Sequence, residues 1–227
     1  ERPERPIPSG QVSLRQAIDS VLTQRGVHLE VLVIDDCVQA SARAAVGAIA
    51  DPRLRYLRNP RPSNGRPARV RNFGWPLTTG AIVHFMDDDD IVPEGVYAAA
   101  LTQFERPPGP GVVFGAIEPF GEPSLALEND RALFTRAARR AARLQRLGLR
   151  WPFVAQQLFN ELLFIGGGSF LRRECLAAVG GYNPELEIME DVDLLARIAS
   201  RFGARYLPRL SLRYRVWPSL MHRADDG

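Results

Sequence analysis

Two short apolar runs that each end in adjacent acidic residues constrain the fold of this chain more than any other feature. Residues 30–34 lead into Asp35 and Asp36, and residues 81–86 lead into the run from Asp87 to Asp90. Continuous apolar runs of this length are typical of strands that are buried on both faces of a parallel sheet. Ligands bind at the carboxyl ends of such strands, so the sequence predicts a binding site where the two groups of acids meet.

Helical patterns alternate with these runs. The apolar residues of 14–22 recur at the spacing of one helix face, behind a capping box formed by Ser13 and Gln16. Further helices are predicted over 40–50, 68–79, 94–105, 129–147 and 190–202, and further strands over 53–57, 112–117, 204–207 and 212–216. This alternation predicts an α/β fold with a mostly parallel central sheet flanked by helices.

Composition narrows the class of protein. The chain has 227 residues, of which 45% are apolar, with a net charge of +3, so it can bury a full core and is not a disordered chain. Cys37 and Cys175 are too few for a disulfide framework, which favours a reducing compartment. No apolar run approaches the roughly 18 residues of a membrane span. We therefore expect a cytoplasmic protein of either one large domain or two small ones.

The run from Asp87 to Asp90 is the strongest chemical signal. Four adjacent carboxylates raise each other's pKa, and a divalent cation with oxygen ligands relieves their repulsion. On an extended backbone, Asp87 and Asp89 point to one side of the chain and Asp88 and Asp90 to the other. The alternative is a solvated acidic turn that caps the next helix. The position of the four acids directly after a buried strand favours a site for a metal and a nucleotide.

Other candidate residues have a functional and a structural interpretation. Asp36 could accept a base N–H such as that of uracil, or it could cap a turn. Arg71 could pair with the acids or with a diphosphate, or lie on a helix surface. Glu190 and Asp191 open a helix whose dipole favours acids, but Asp191 could also be a general base. The glycines up to Gly168 could admit a substrate or form an ordinary tight turn.

Together these segments resemble the inverting glycosyltransferases of family 2, which have the GT-A fold. The resemblance extends from about residue 12 to about residue 219. The segments that carry it are 13–24, 30–36, Arg71-Asn72-x-Gly74, 80–90 with Pro93, 167–174, 179–182 and 190–197. It implies one GT-A domain, with a nucleotide-sugar-binding half over about 1–117 and an acceptor-binding half over about 118–227.

For the donor half, the resemblance implies that the substrate is a nucleoside-diphosphate sugar, and we expect a UDP-sugar. Asp36 is then the acid that contacts the nucleobase, and Asp87 and Asp88 contact the ribose and the cation. Asp89 is the ligand of Mn²⁺ or Mg²⁺, and Arg71 is a further substrate-binding residue.

For the acceptor half, the resemblance implies transfer to a hydroxyl with inversion of the anomeric centre. Asp191 is then the catalytic base, with Glu190 beside the acceptor and Gly168 as a further substrate-binding residue. We expect a carbohydrate, a lipid-linked or a small-molecule acceptor. The basic stretch 131–150 suggests an acidic acceptor or the inner face of a membrane, and we expect no nucleic-acid partner.

The sequence departs from the family pattern at three places. Only Ile7-Pro8 remains of the usual opening strand and its motif, and Cys37-Val38 replaces a Gly-Ser pair. Trp217 occupies a segment that often carries a histidine near the diphosphate and the metal. Either His222 replaces that histidine or the metal lacks the ligand.

Two rival functions follow from the same residues. A sugar-phosphate nucleotidyltransferase also binds a nucleotide with acids and a metal, but the chain lacks the Gly-rich phosphate loop that usually opens such an enzyme. A non-catalytic nucleotide-sugar-binding module is favoured by the weak opening strand. The presence of Asp87, Asp89 and Asp191 argues against it.

Overall fold

The computed structural model describes residues 10–147, 154 and 165–217. The helices are α1 (Gly10–Leu22), α2 (Arg43–Gly47), α3 (Pro67–Gly74), α4 (Val96–Glu105), α5 (Leu125–Gln145), α6 (Arg173–Ala178) and α7 (Glu190–Phe202). The strands are β1 (Val31–Asp35), β2 (Leu54–Arg58), β3 (Ile82–His84), β4 (Val112–Gly121), β5 (Ser169–Arg172) and β6 (Ala204–Val216), and 3₁₀ turns cover Trp75–Leu77 and Gly166–Gly168.

The described strands form two sheets. β1 and β2 pair in parallel, and the larger sheet has the order β3-β5-β4-β6. β3 and β4 are both antiparallel to β5, and β6 is parallel to β4, so three of these four strands run in one direction. The α/β fold with a central sheet and flanking helices is therefore confirmed, and β5 is an antiparallel strand that the sequence patterns did not reveal.

Helix α7 provides much of the main core. Leu194, Leu195 and Ile198 lie on one face and are fully buried, in contact with a cluster that includes Phe114 of β4 and Leu171 of β5. A second core lies between α4 and the larger sheet, and a third covers the small sheet with α1. Burial of each large apolar side chain contributes roughly 1.5–3 kcal/mol, so these clusters fix the positions of the strand ends.

Strand β6 is one long element where the sequence predicted two. It pairs with β4 from Val112 to Gly121, with register shifts around Ala116. A Cβ on Gly115 would lie 2.7 Å from the carbonyl oxygen of Arg209, so only glycine permits the close approach at this irregularity. Because β6 continues past the shift, its end reaches the acids that follow β3.

Helix α5 starts at a Ser124 cap, whose Oγ accepts a hydrogen bond from the Leu127 amide at 3.2 Å. Leu127, Phe134, Ala137 and Ala141 form its buried face. Among the helices in the described ranges, none is both long enough and apolar enough to cross a membrane.

Candidate active site

A cavity of about 990 Å³ lies between β1 of the small sheet and β3 of the larger sheet. Its walls include the apolar side chains of residues 31–34 and 82–86. Asp36, Arg71, Asp87 and Asp88 also line it. The volume is at the upper end of the range for small-molecule and cofactor pockets. The first two acids of the run after β3 therefore share one cavity with the pair after β1, whereas Asp89 and Asp90 do not line it.

Asp35 and Asp36 have different surroundings. Asp35 is buried and accepts hydrogen bonds from the amides of Cys37 and Ala42, both at 3.0 Å, and from the Tyr56 hydroxyl at 2.9 Å. These bonds fix the turn after β1, which is the structural role considered for an acid at this place. Asp36 is the member of the pair that remains partly exposed at the cavity.

Asp36 also organises the loop that follows β2. Its Oδ1 accepts a hydrogen bond from Nδ2 of Asn59 at 2.6 Å, and its Oδ2 accepts one from Oγ of Ser63 at 2.5 Å. The Ser63 amide donates to the same carboxylate. No local pattern indicates this anchoring, because the partners lie more than twenty residues away along the chain.

The run from Asp87 to Asp90 does not stay extended. The backbone turns at residues 88–89, so the predicted alternation of the four side chains does not occur. Asp87 and Asp88 are exposed, whereas Asp89 is partly buried and Asp90 is only 1% exposed. The Arg215 amide donates to Oδ1 of Asp90 at 2.8 Å. The structural role therefore falls to Asp90, and the first three acids lie closer to solvent.

Negative charge in this run is incompletely compensated. Loss of hydration raises the pKa of Asp88, and its neighbours Asp89 and Asp87 raise it further. Burial also raises the pKa of Asp89, although a hydrogen bond from Trp217 opposes the effect. Burial raises the pKa of Asp90 to about 8 despite the Arg215 amide. A bound cation would favour the charged form of these carboxylates.

The carboxylates after β3 fit a divalent cation that is bound together with substrate phosphates. Within the described parts of the chain, no three His, Cys, Asp or Glu side chains already form a metal cage. Mg²⁺ is often held by only one or two carboxylates together with substrate phosphates, and carboxylate oxygens suit both Mg²⁺ and Mn²⁺. Asp87, Asp88 and Asp89 provide such oxygens at the surface of the fold.

Trp217 lies next to the predicted metal ligand. Its Nε1 donates a hydrogen bond to Oδ2 of Asp89 at 2.6 Å, and Nε of Arg215 donates to the Asp89 carbonyl oxygen at 2.8 Å. The end of β6 therefore does lie beside the acids. His222 and Ile7-Pro8 are outside the described residues.

Arg71 joins the acids after β3 to the acids of α7. Its Nη2 donates to Oδ1 of Asp87 at 2.9 Å, and its Nη1 donates to Oε1 of Glu190 at 2.7 Å. The guanidinium lies over the Tyr182 ring, 5.4 Å from its centroid. Burial alone would lower the pKa of Arg71, but Tyr182, Asp87 and Glu190 raise it well above its ordinary value. Arg71 is therefore a permanent cation at the centre of the site.

Asp191 is held by the glycine turn before β5. The Gly166 amide donates to Oδ2 of Asp191 at 2.9 Å, and the carboxylate remains partly exposed. A Cβ on Gly166 would lie 3.3 Å from Cβ of Asp191, so the turn packs closely against the start of α7, and a side chain here would require Asp191 to shift slightly. Gly168 lies further inside, where a Cβ would lie 3.1 Å from Ile117.

His84 fixes the same turn from the other side. Its Nε2 lies 2.7 Å from the Gly167 carbonyl oxygen, and its Nδ1 lies 2.8 Å from the Tyr97 hydroxyl. Burial lowers the pKa of His84 to about 4, so the imidazole is neutral. Because a carbonyl can only accept, Nε2 carries the proton and Nδ1 accepts from Tyr97. Neither residue was a candidate from sequence.

Comparison with known proteins gives one family and several relatives. The family described as "Glycosyl transferase family 2" matches residues 10–179. "Succinoglycan biosynthesis protein ExoO" of Rhizobium meliloti (strain 1021) is 42% identical over 77 residues, which are 34% of this chain and 22% of ExoO. "Uncharacterized protein MT1568" of Mycobacterium tuberculosis (strain CDC 1551 / Oshkosh) is 25% identical over 216 residues, which are 92% of this chain and 65% of MT1568. The chain thus spans less than two thirds of either relative.

Solved structures show the same fold. S. aureus TarS 1-349 in complex with UDP-GlcNAc has a TM-score of 0.68 at 15% identity, covering 92% of this chain and 56% of that one. Mannosyltransferase PcManGT from Pyrobaculum calidifontis, in complex with GDP-Man and Mn²⁺, has a TM-score of 0.65 at 17% identity. The match covers 94% of this chain and 56% of PcManGT. At these identities the likeness concerns the fold, which is GT-A.

Proposed function

Because this chain belongs to glycosyl transferase family 2, we propose that it transfers a sugar from a UDP-sugar to an acceptor hydroxyl with inversion, in a reaction that depends on a divalent cation. The contents of two structures with the same fold support a nucleotide-sugar donor: TarS was solved with UDP-GlcNAc and PcManGT with GDP-Man and Mn²⁺. The family supports glycosyl transfer, and the chain's own residues support the roles below.

One observation carries the proposal: Arg71 contacts Asp87 with one nitrogen and Glu190 with another. These two contacts connect the acids after β3 with helix α7. The acids are predicted to bind the donor, and the start of α7 is predicted to bind the acceptor. A transferase needs both substrates at one place, because the acceptor oxygen must reach the anomeric carbon as the diphosphate leaves. Arg71 is also positioned to pair with diphosphate oxygens.

The donor would occupy the cavity between β1 and β3. Asp36 lines that cavity and has a carboxylate that can accept the imide N–H of uracil. Its bonds to Asn59 and Ser63 fix the carboxylate in place before a ligand arrives. Asp87 and Asp88, which line the same cavity, would contact the ribose and the cation. This arrangement supports residues 1–117 as the donor half.

A cation would be held by Asp89, assisted by Asp87 and Asp88 and by the donor's diphosphate oxygens. When bound, Mn²⁺ or Mg²⁺ supplies charge neutralisation to the departing nucleoside diphosphate. The Trp217 N–H restrains one oxygen of the Asp89 carboxylate, Oδ2, by a hydrogen bond. Asp90 would contribute structure and not ligation, because it is buried and bonded to the backbone of β6.

Asp191 would act as the catalytic base. It removes the proton of the acceptor hydroxyl, the acceptor oxygen forms a bond to the anomeric carbon, and the bond from that carbon to the diphosphate oxygen breaks with inversion. The nucleoside diphosphate departs with the electron pair. Gly166 orients Asp191 through its amide, Gly168 supports the turn from inside, and Glu190 lies beside the acceptor.

The acceptor would bind in the half formed by residues 118–227 and be a carbohydrate, a lipid-linked or a small molecule. Cys37 and Cys175 are free thiols. This state fits the reducing cytoplasm that we propose as the compartment of the reaction.

The test is an Asp191→Asn variant with Glu185→Gln as its matched control. Glu185 is an exposed carboxylate on the loop that leads into α7, so it controls for loss of one charge nearby. We expect Asp191→Asn to lower sugar transfer at least about a hundredfold, since general-base catalysis contributes roughly 10²–10⁴-fold. Transfer is measured with a panel of UDP-sugars and Mn²⁺.

Ligand-induced stabilisation separates the possible failures. UDP with Mn²⁺ should raise the Tm of both variants by similar amounts, because stabilisation follows ligand occupancy. Full transfer by Asp191→Asn would refute the assignment of the base. UDP binding without transfer to any acceptor would favour a non-catalytic module, and pyrophosphate release from a nucleoside triphosphate would favour a nucleotidyltransferase.

A further inference from the structure

The outer face of helix α5 is strongly basic. Between Arg131 and Leu147 the chain has six arginines and no acidic residue. The only acids of α5, Glu128 and Asp130, lie near its start. Arg136, Arg139, Arg143 and Arg146 are exposed, and Arg140 is partly exposed. This charge is concentrated on one part of a molecule whose net charge is only +3.

Helix geometry puts these arginines on a single stripe. At about 100° per residue, the five arginines from 136 to 146 fall within about one third of the helix circumference. The stripe lies roughly opposite Phe134, Ala137 and Ala141, which face the protein interior. It is therefore the surface of α5 that points away from the sheet.

Two exposed leucines mark the two ends of this stripe. Leu125 is 66% exposed and Leu147 is 59% exposed, although a large apolar side chain gains free energy by burial. Leu125 is the first residue of α5, and Leu147 lies in the turn two residues beyond its end at Gln145. The exposed face of α5 and the turn after it therefore offers two kinds of contact group, a row of arginines and an apolar side chain at each end.

We propose that this face docks on an anionic membrane surface. Arg139, Arg143 and Arg146 would lie against lipid phosphate groups, which suit the planar guanidinium, and the two leucines would reach the boundary between headgroups and acyl chains. Each basic side chain near such a surface contributes to attraction, and the contributions accumulate along a stripe. The proposal does not depend on the proposed enzymatic function.

A nucleic acid is the competing polyanion, and the residues around the arginines disfavour it. The positions between them are Ala137, Ala138, Ala141, Ala142, Leu144 and Gln145. These positions include no aromatic side chain on which a base could stack. The exposed leucines would find no apolar group to contact on a phosphate backbone, whereas they would contact acyl chains at a lipid interface.

The experiment is co-sedimentation of the full chain with lipid vesicles. We expect binding to vesicles of phosphatidylcholine with about one third phosphatidylglycerol, no binding to pure phosphatidylcholine, and loss of binding at high salt. The triple variant Arg139→Gln, Arg143→Gln, Arg146→Gln should bind at least about tenfold more weakly. The matched control removes three exposed arginines elsewhere, Arg25→Gln, Arg106→Gln and Arg209→Gln, and should bind within about twofold of the wild type.

The outcomes decide between the alternatives. Circular dichroism and the Tm establish that both triple variants are folded, so a loss of binding can be assigned to the surface. Equal weakening in the two triple variants would mean that net charge and not the stripe attracts the vesicles, which would overturn the proposal. Tighter binding to RNA or DNA than to anionic vesicles at the same salt concentration would overturn it as well. UDP-dependent stabilisation should be unchanged in both variants, which separates this result from the proposed function.

Discussion

At the scale of single residues, Trp217 shows how one side chain sets the environment of the acids. The family resemblance places a histidine in this segment, and a histidine can be a metal ligand. An indole N–H can only donate, and here it donates to Asp89 at 2.6 Å. The pKa of Asp89 is raised by burial, and this hydrogen bond opposes part of that rise. Trp217 therefore acts on the predicted ligand and not on the metal.

His84 makes the stability of the protein depend on pH. Its folded pKa of about 4 lies below the ordinary value of 6.5, so at intermediate pH the unfolded chain binds a proton that the folded protein does not. Stability is therefore lost as pH falls through this window. We expect the wild type to lose about 3 kcal/mol more free energy of unfolding between about pH 7 and pH 4 than His84→Gln does.

Urea denaturation at a series of pH values measures this difference. His28 is exposed, so His28→Gln is the control and should keep the pH dependence of the wild type. The same pH dependence in His84→Gln as in the wild type would show that His84 does not remain neutral in the fold.

At the scale of elements, two glycines in the segment between α6 and α7 distinguish backbone strain at positive φ from the steric effect of an added Cβ. Gly180 and Gly181 both have positive φ, at 79° and 75°. A Cβ on Gly180 would meet nothing within 4 Å, whereas one on Gly181 would lie 2.6 Å from Oδ1 of Asn72. That oxygen accepts a hydrogen bond from the Tyr182 amide, and the Tyr182 ring covers Arg71.

We expect Gly180→Ala to destabilise the protein by about 1–2 kcal/mol through backbone strain alone. Gly181→Ala should cost about 1–3 kcal/mol more, because it also displaces Asn72. The free energies of unfolding of the two variants, measured side by side, give the steric contribution as their difference. Equal values would mean that Asn72 moves freely and does not hold Tyr182 in place.

The sequence predicted elements well where local signals agreed with the packing. Helix 190–202 was correct at both ends, since acids open it and Gly203 follows it. β6 was predicted as two strands because Pro208 interrupts the pattern. Proline is tolerated in an edge strand, and β6 is at the edge of its sheet. β5 was missed because it has four residues between glycines and a helix.

At the scale of the whole molecule, the sequence predicted which acids are adjacent and offered Arg71 as a partner for them, but it did not predict the contacts of Arg71 with Glu190 or of Trp217 with Asp89. Arg71 and Glu190 are 119 residues apart, and Trp217 and Asp89 are 128 apart. No local pattern contains such pairs, because they depend on how α3 and β6 pack against α7 and the end of β3. Strand ends and first helical turns were readable because their chemistry is local.

The ion pair between Arg71 and Glu190 should therefore stabilise the contact between α3 and α7 as well as the proposed site. Their side chains are 16% and 11% exposed, so Arg71→Gln leaves Glu190 buried without its partner and should cost about 3 kcal/mol. The double variant with Glu190→Gln should cost less than the sum of the single variants, by about 1–3 kcal/mol. Urea denaturation of the four proteins measures this coupling. The same cycle on Arg15 and Asp19, which are 51% and 49% exposed, should give about 0.5 kcal/mol or less. If the two cycles agree, the bridge contributes no more than a surface ion pair, and other contacts, such as those between Asn72 and Tyr182, hold α3 near α7.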